Sequence, residues 1–222
     1  MTDCFCNGSG EPRWASVPDG LNARRTTYEN CPCPVGQAAK IARRIDPIWD
    51  LAEIPKRFKD LRLETSPHDL IFLAQPESYF FHGKVGVGKT GLAVSIARKL
   101  VEAGVVGQVL FVDVPDLLNQ IKATYDSEES ERSILQRYKE AEFLILDDLG
   151  AEHVKNLDWL QDLAYQIINY RHGEMLPTIF TSNLSLGESG KRIGARNAWR
   201  ISELCGRDNI MEIEGPNLRD KR

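Results

Sequence analysis

The chain has 222 residues, 42% hydrophobic and 27% charged, with a formal net charge of −4. That size and balance suit one globular domain with a small appendage. They exclude a strongly basic nucleic-acid binder, though not a local basic channel, and no apolar run is long enough to span a membrane.

The opening stretch "MTDCFCNGSG" is polar and is not a secretory signal, so the chain reads as cytoplasmic. Residues 1–45 form a first region, rich in Cys, Pro and Gly, with six Lys/Arg against four Asp/Glu; the remainder holds 22 against 28. Cys4, Cys6, Cys31 and Cys33 crowd this region as two C-x-C pairs, and Cys205 stands apart in a helical apolar pattern, as a core residue would. In a reducing compartment such pairs suggest Zn²⁺ before disulfides. With the Gly-containing turn after the first pair they read as a short zinc ribbon. The alternative is four reduced thiols in a tail. Arg24, Arg25, Lys40, Arg43 and Arg44 could meet an acidic partner surface or DNA, or form an ordinary solvated face. One helix is expected from about Gly36 to Ile45, and residues 46–76 form a connector.

Residues 77–222 alternate strands and helices. Strands are expected near 78–82, 108–112, 142–147, 177–182 and 209–213. Helices are expected at about 89–103, 115–124, 129–140, 156–171 and 191–205. Such alternation predicts an α/β fold, a parallel sheet wrapped on both faces.

The first strand runs into "FHGKVGVGKTGLA". Gly83, Gly88, Lys89 and Thr90 stand at the spacing of a phosphate-binding loop, with Gly86 between them. Glycines let backbone N–H groups curl around a polyphosphate, and the helix starting near Lys89 adds its positive end. Lys89 would reach the β and γ phosphates of ATP, and the Thr90 hydroxyl would ligate Mg²⁺. The alternative is a glycine-rich turn without a ligand.

The third strand, "EFLILDDLG", is a continuous apolar run, as expected of a central parallel strand. Asp147 falls at its C-terminal end, where ligands of open α/β sheets sit. It would hold Mg²⁺ with Thr90, and Asp148 is placed to polarise the attacking water. The fourth strand, "PTIFTSNLS", ends in Thr181, Ser182 and Asn183. Asn183 can contact the γ-phosphate or the lytic water; alternatively it is a turn or capping residue.

With these pieces together, the chain resembles the AAA+ ATPases of the DnaC/DnaI helicase-loader and IstB transposase-helper group. The resemblance runs from about Ile54 to Arg222. It rests on "IPKRF", the phosphate loop, "VLFVDVPDLLNQI", "FLILDDLGAE", "QIINYR", "PTIFTSNLS" and the ending "WRISELCG…NLRDKR". It implies an AAA+ core with sheet order 5-1-4-3-2 and no C-terminal lid domain. It also implies a homo-oligomer that assembles with ATP on single-stranded DNA. The usual task of the group is to deliver a replicative hexameric DNA helicase. "RNAWRIS" matches the box that supplies an arginine to a neighbour's ATP site, with Arg200 as the finger and Arg196 one helical turn before it. Arg219 looks like a second sensor, reaching the nucleotide in its own subunit. Tyr125 and Trp159 are expected on a rim where single-stranded DNA could stack, or as caps on the edge of the core.

Three other functions compete with helicase loading. An IstB-like helper of a DNA transposase shares the ATPase core. A P-loop small-molecule kinase would need an acceptor pocket after the third strand, where the acidic "YDSEESERS" would repel a phosphorylated acceptor. A scaffold that binds ATP without turnover sits poorly with an intact Lys89, Thr90 and Asp147.

Overall fold

The structure, a computed structural model, describes residues 13–18, 24–29, 45–61, 76–124, 130–150 and 157–218. These residues fall into two compact units, divided between Ile48 and Trp49. In the first, β1 (Arg13–Pro18) and β2 (Arg24–Glu29) pair antiparallel, with Arg13 opposite Glu29 and Pro18 opposite Arg24. The four clustered cysteines lie outside the described residues, as does the expected helix from Gly36 apart from its last residue. Residues 45–51 are helical (α1), so helix occupies the start of the expected connector.

The second unit is built on five strands: β3 (Tyr79–His82), β4 (Val109–Asp113), β5 (Phe143–Asp147), β6 (Thr178–Ser182) and β7 (Ile210–Glu212). All neighbours pair in parallel, in the order β4-β5-β6-β3-β7. Numbered within the unit and read from the other edge, this is 5-1-4-3-2, the order the resemblance implied. β4 and β5 are near-continuous apolar runs because both of their faces are covered, whereas the edge strand β7 is largely exposed. Phe80, Leu110, Val112, Leu144, Leu146 and Phe180 join one core cluster with residues of the helices that follow β4, β5 and β6. The helix after β3 packs against β5 and β6.

Local chemistry sets the helix ends. Asp113 caps α3 (Val114–Ala123), accepting from Asp116 N at 3.3 Å. Ser130 caps α4 (Glu131–Glu140), accepting from Ser133 N at 3.1 Å. Such caps occupy backbone donors that a helix cannot satisfy itself. The helix after β3, α2 (Lys89–Ala103), has no side-chain cap. The long α5 (Leu157–Gly173) turns Leu160, Leu163, Ala164, Ile167 and Ile168 inward at helical spacing.

One expectation needs correction. The single helix expected over 191–205 is two: α6 (Leu186–Ile193) and α7 (Ala195–Cys205). Gly194 separates them at φ 93° and ψ 135°, outside any helical conformation. A capping box, Ser185 with Glu188, starts α6 upstream of the expected boundary.

Arg171 near the end of α5 is fully buried. Its guanidinium donates to the carbonyls of Tyr138, Lys139, Ala141 and Pro177 and to Thr178 Oγ1, at 2.7–3.1 Å. It thereby ties the end of α4 to the entry of β6. Among the described residues, no helix is long and apolar enough to cross a membrane.

Candidate active site

Parallel register puts the polar strand ends on one edge. Asp113 pairs with Asp147, and Phe81 and His82 of β3 pair with Thr181 and Ser182 of β6. The chain leaves β3 through Gly83 at φ 139° and turns through Gly86 at φ 85° and Gly88 at φ 102° into α2. Only glycine adopts such angles without strain. No side chain caps the start of α2, and a helix N-terminus favours phosphate.

Lys89 is buried, and its ammonium donates to Gly83 O at 2.9 Å, Lys84 O at 3.0 Å and Asn183 Oδ1 at 2.8 Å. The amide of Asn183 donates to Asp148 Oδ1 at 3.2 Å. One side chain on β6's exit therefore joins the loop lysine to the carboxylate strand. Asp148 sits at φ 56°. For an L residue that conformation costs about 1 kcal/mol, and strain of this kind gathers at functional sites. Its N–H is held by Thr181 Oγ1 at 3.0 Å.

Asp147 is buried and accepts from Thr181 Oγ1 at 2.6 Å and Thr90 Oγ1 at 3.2 Å. Burial pushes its carboxyl up to about 6; the two hydroxyls oppose that, and the charges of Asp148 and Asp113 add to it. Asp113 is raised too, first by burial. One carboxylate oxygen from each of Asp113, Asp147 and Asp148 lies within 4.8 Å of the others. A hydroxyl beside clustered carboxylates is a hard-oxygen donor set that suits Mg²⁺. Beside Asp147 a cleft of about 350 Å³ opens between Glu53, Arg57, Asp113 and Gln120.

The structure thus brings together Gly83, Gly86, Gly88, Lys89, Thr90, Asp147, Asp148 and Asn183. Arg200 is placed elsewhere, on α7, with its guanidinium over the ring of Tyr165 of α5, 4.8 Å from the centroid. Its Nη1 is buried without a hydrogen-bond partner among the described residues, and Arg196 is exposed. Trp159 is partly buried against the core cluster, with Lys122 Nζ 5.6 Å from its ring centroid. Tyr125 and Arg219 lie outside the described residues. Asp113 escaped the sequence reading. Its signal was its place at the end of "VLFVD", but only the register of β4 against β5 brings it level with Asp147.

A glycine loop entering an uncapped helix, with its lysine tied to a carboxylate strand two positions away in a 5-1-4-3-2 sheet, defines an AAA+ ATPase core. The chain belongs to the family of IstB-like ATP binding proteins, IstB_IS21, whose pattern matches residues 56–217. It is 27% identical over 229 residues to the ATP-binding protein of insertion sequence IS5376 from Geobacillus stearothermophilus, covering 95% of this chain and 89% of that protein. It is 32% identical over 110 residues to the replicative helicase loader DnaI of Bacillus subtilis (strain 168), covering 49% of this chain and 34% of the loader. The crystal structure of the DnaC helicase loader superposes with a TM-score of 0.60 at 27% identity, over 72% of this chain and 100% of that chain. The chain therefore spans most of the insertion-sequence protein but about a third of the length of DnaI.

Proposed function

We propose that this chain is an ATP-switched assembly factor that delivers a replicative hexameric DNA helicase to single-stranded DNA. One observation carries the switch: Asn183 holds Lys89 and Asp148 at once. A γ-phosphate drawn to Lys89 would compete for the same ammonium, release Asn183 and free Asp148 to orient a water. ATP binding and the poise of the hydrolytic carboxylate are then one event. Thr90 and Asp147 would hold Mg²⁺. When bound, the ion neutralises charge on the phosphates and so favours transfer. Arg219 would reach the nucleotide in its own subunit and Arg200 that of a neighbour, so hydrolysis follows homo-oligomer assembly. The helicase as cargo is supported by the likeness to the DnaC and DnaI loaders.

Residues 1–45 are assigned to partner recruitment, 46–76 to a connector and 77–222 to the ATPase. Cys4, Cys6, Cys31 and Cys33 would hold one zinc ion, since the segment has too few apolar residues to fold without a staple. Freshly purified protein should contain about one zinc per chain. Its removal should weaken helicase binding before it slows ATP hydrolysis. Zinc-free protein with full helicase binding would count against this assignment.

A second reading, ATPase helper of a DNA transposase, is favoured by the near end-to-end match with the IS5376 protein. The two are separated by mixing the purified protein with the cognate replicative helicase, and separately with a cognate transposase, with and without ATP. Loading predicts an ATP-dependent complex that places helicase on a circular single strand. No helicase complex, together with stimulated strand transfer, would replace the first reading by the second.

A further inference from the structure

Three glycines of the phosphate loop face one short stretch of chain. A Cβ on Gly83 would lie 2.4 Å from Ile213 O, one on Gly86 2.0 Å from Asn217 Oδ1, and one on Gly88 3.1 Å from Leu218 Cδ1. The same stretch is hydrogen-bonded to the loop side at both ends. Ile213 N donates to His82 O at 2.7 Å, and Leu218 N donates to Gly86 O at 2.9 Å. Residues 213–218 therefore leave β7 and run along the loop as a strap. Residues 214–218 are exposed, so the strap is a surface segment and not part of the core.

The bond to Gly86 has a geometric consequence. No peptide bond among the described residues is cis. A trans peptide points its C=O and its N–H in opposite directions. With Gly86 O turned to the strap, the N–H of Val87 is turned away from it. Lys89 takes the carbonyls of Gly83 and Lys84 on its own side of the loop. The loop is thus oriented from two sides, by its lysine and by the strap.

We propose that the strap Ile213–Leu218 positions the phosphate loop, holding the Gly86–Val87 peptide so that the Val87 N–H is presented to the phosphates of the nucleotide. Leu218, through its backbone N–H, is the positioning residue, and Asn217 backs the turn at Gly86. This rests on the reading of the loop as an ATP site. It makes the close fit of Gly86 a demand of the chain's own strap as well as of the ligand.

The test compares Leu218→Pro, which removes the donor N–H, with Leu218→Ala, which keeps it. ADP is the probe, because it lacks the γ-phosphate that Asn183 and Arg200 would address. Titration calorimetry on the full chain should show ADP bound about three- to ten-fold more weakly by Leu218→Pro, the worth of one hydrogen bond. Leu218→Ala should bind within about two-fold of the parent, and the melting temperatures should match. Equal ADP affinity in Leu218→Pro and the parent would overturn the strap. A parent that binds no ADP would overturn the ATP-site reading instead. Should Leu218→Pro not fold, Gly86→Ala alone and combined with Asn217→Gly gives the answer. Partial recovery of ADP affinity in the double variant supports contact between strap and loop, and strictly additive losses refute it.

Discussion

The strand-end edge and the α7 surface treat charge in opposite ways. At the strand ends each charge is engaged within the chain: Lys89 on three oxygens, Asp147 on two hydroxyls, Asp148 on Asn183. On α7, Arg200 lies over an aromatic ring with a buried nitrogen that no described acceptor meets, and the neighbouring Arg196 and Trp199 are exposed. A buried donor without a partner costs about 1–3 kcal/mol. The chain tolerates that cost on α7, while at the strand ends it engages Lys89, Asp147 and Asp148 within itself. That contrast is what the proposed use of Arg200 by a neighbouring subunit would explain.

The largest effect should come from breaking the α7 side. Arg200→Ala should still bind ATP but hydrolyse it roughly a thousand-fold more slowly, as expected for loss of an arginine finger. Mixing it with Lys89→Ala protein should restore part of the turnover, because mixed neighbours form an intact site. Turnover per subunit measured against protein concentration checks the point. Concentration-independent turnover with a fully active Arg200→Ala protein would move the finger to Arg196.

The carboxylate edge is next. The Asp147 carboxyl binds its proton more tightly in the native fold than in the unfolded chain, so protonation stabilises the fold. That contribution is fully present below about pH 4 and is lost as pH rises through about 6. Titration near 6 rather than near 4 is worth about 3 kcal/mol. Asp147→Asn should therefore be more stable than the parent at pH 7.5 in magnesium-free buffer, by an amount of that order, and should lose the pH dependence between 4 and 6. Denaturant melts at several pH values would reveal it, and parallel curves for the two proteins would refute it.

Lys89→Ala should weaken ATP binding by about ten-fold, the loss of a charge-assisted contact. Unchanged affinity in a titration of the folded variant would break the binding half of the comparison. The smallest effect concerns Trp159, whose ring rests on the core yet stays partly exposed. Trp159→Ala should lower affinity for an oligothymidine strand by about 1 kcal/mol, the low end for a stacking ring. A lower melting temperature with unchanged affinity would assign the ring to the core alone.

The parts of the site that repeat locally were legible in the sequence. Gly83, Gly88, Lys89 and Thr90 lie within one turn and one helix start, and Asp147 ends an unbroken apolar run, so short-range pattern sufficed. The sheet order came from the resemblance, not from periodicity. What stayed hidden depends on contacts between distant segments. Asn183 could be read as a cap or as a sensor, and only the folded chain shows it touching Lys89, 94 positions away in sequence. Asp113 needed strand register. The break at Gly194 was hidden because α6 and α7 are both amphipathic, so the helical pattern runs on across a residue whose φ is 93°. The ring beneath Arg200 lies 35 residues earlier on α5, beyond any local signal.

Arg171 has a consequence for how the fold responds to its solvent. None of its described hydrogen-bond partners is a carboxylate; it holds four carbonyls and a hydroxyl. Three of those carbonyls close α4, where the helix presents its negative end. The counter-charge is therefore built of peptide dipoles sealed from water, and dissolved ions have little access to it. The junction of α4 with β6 should keep its grip at ionic strengths that dissolve surface ion pairs such as Lys59 with Asp50. A lysine in its place would bring three donors on a flexible stem to a nest shaped for a planar fork.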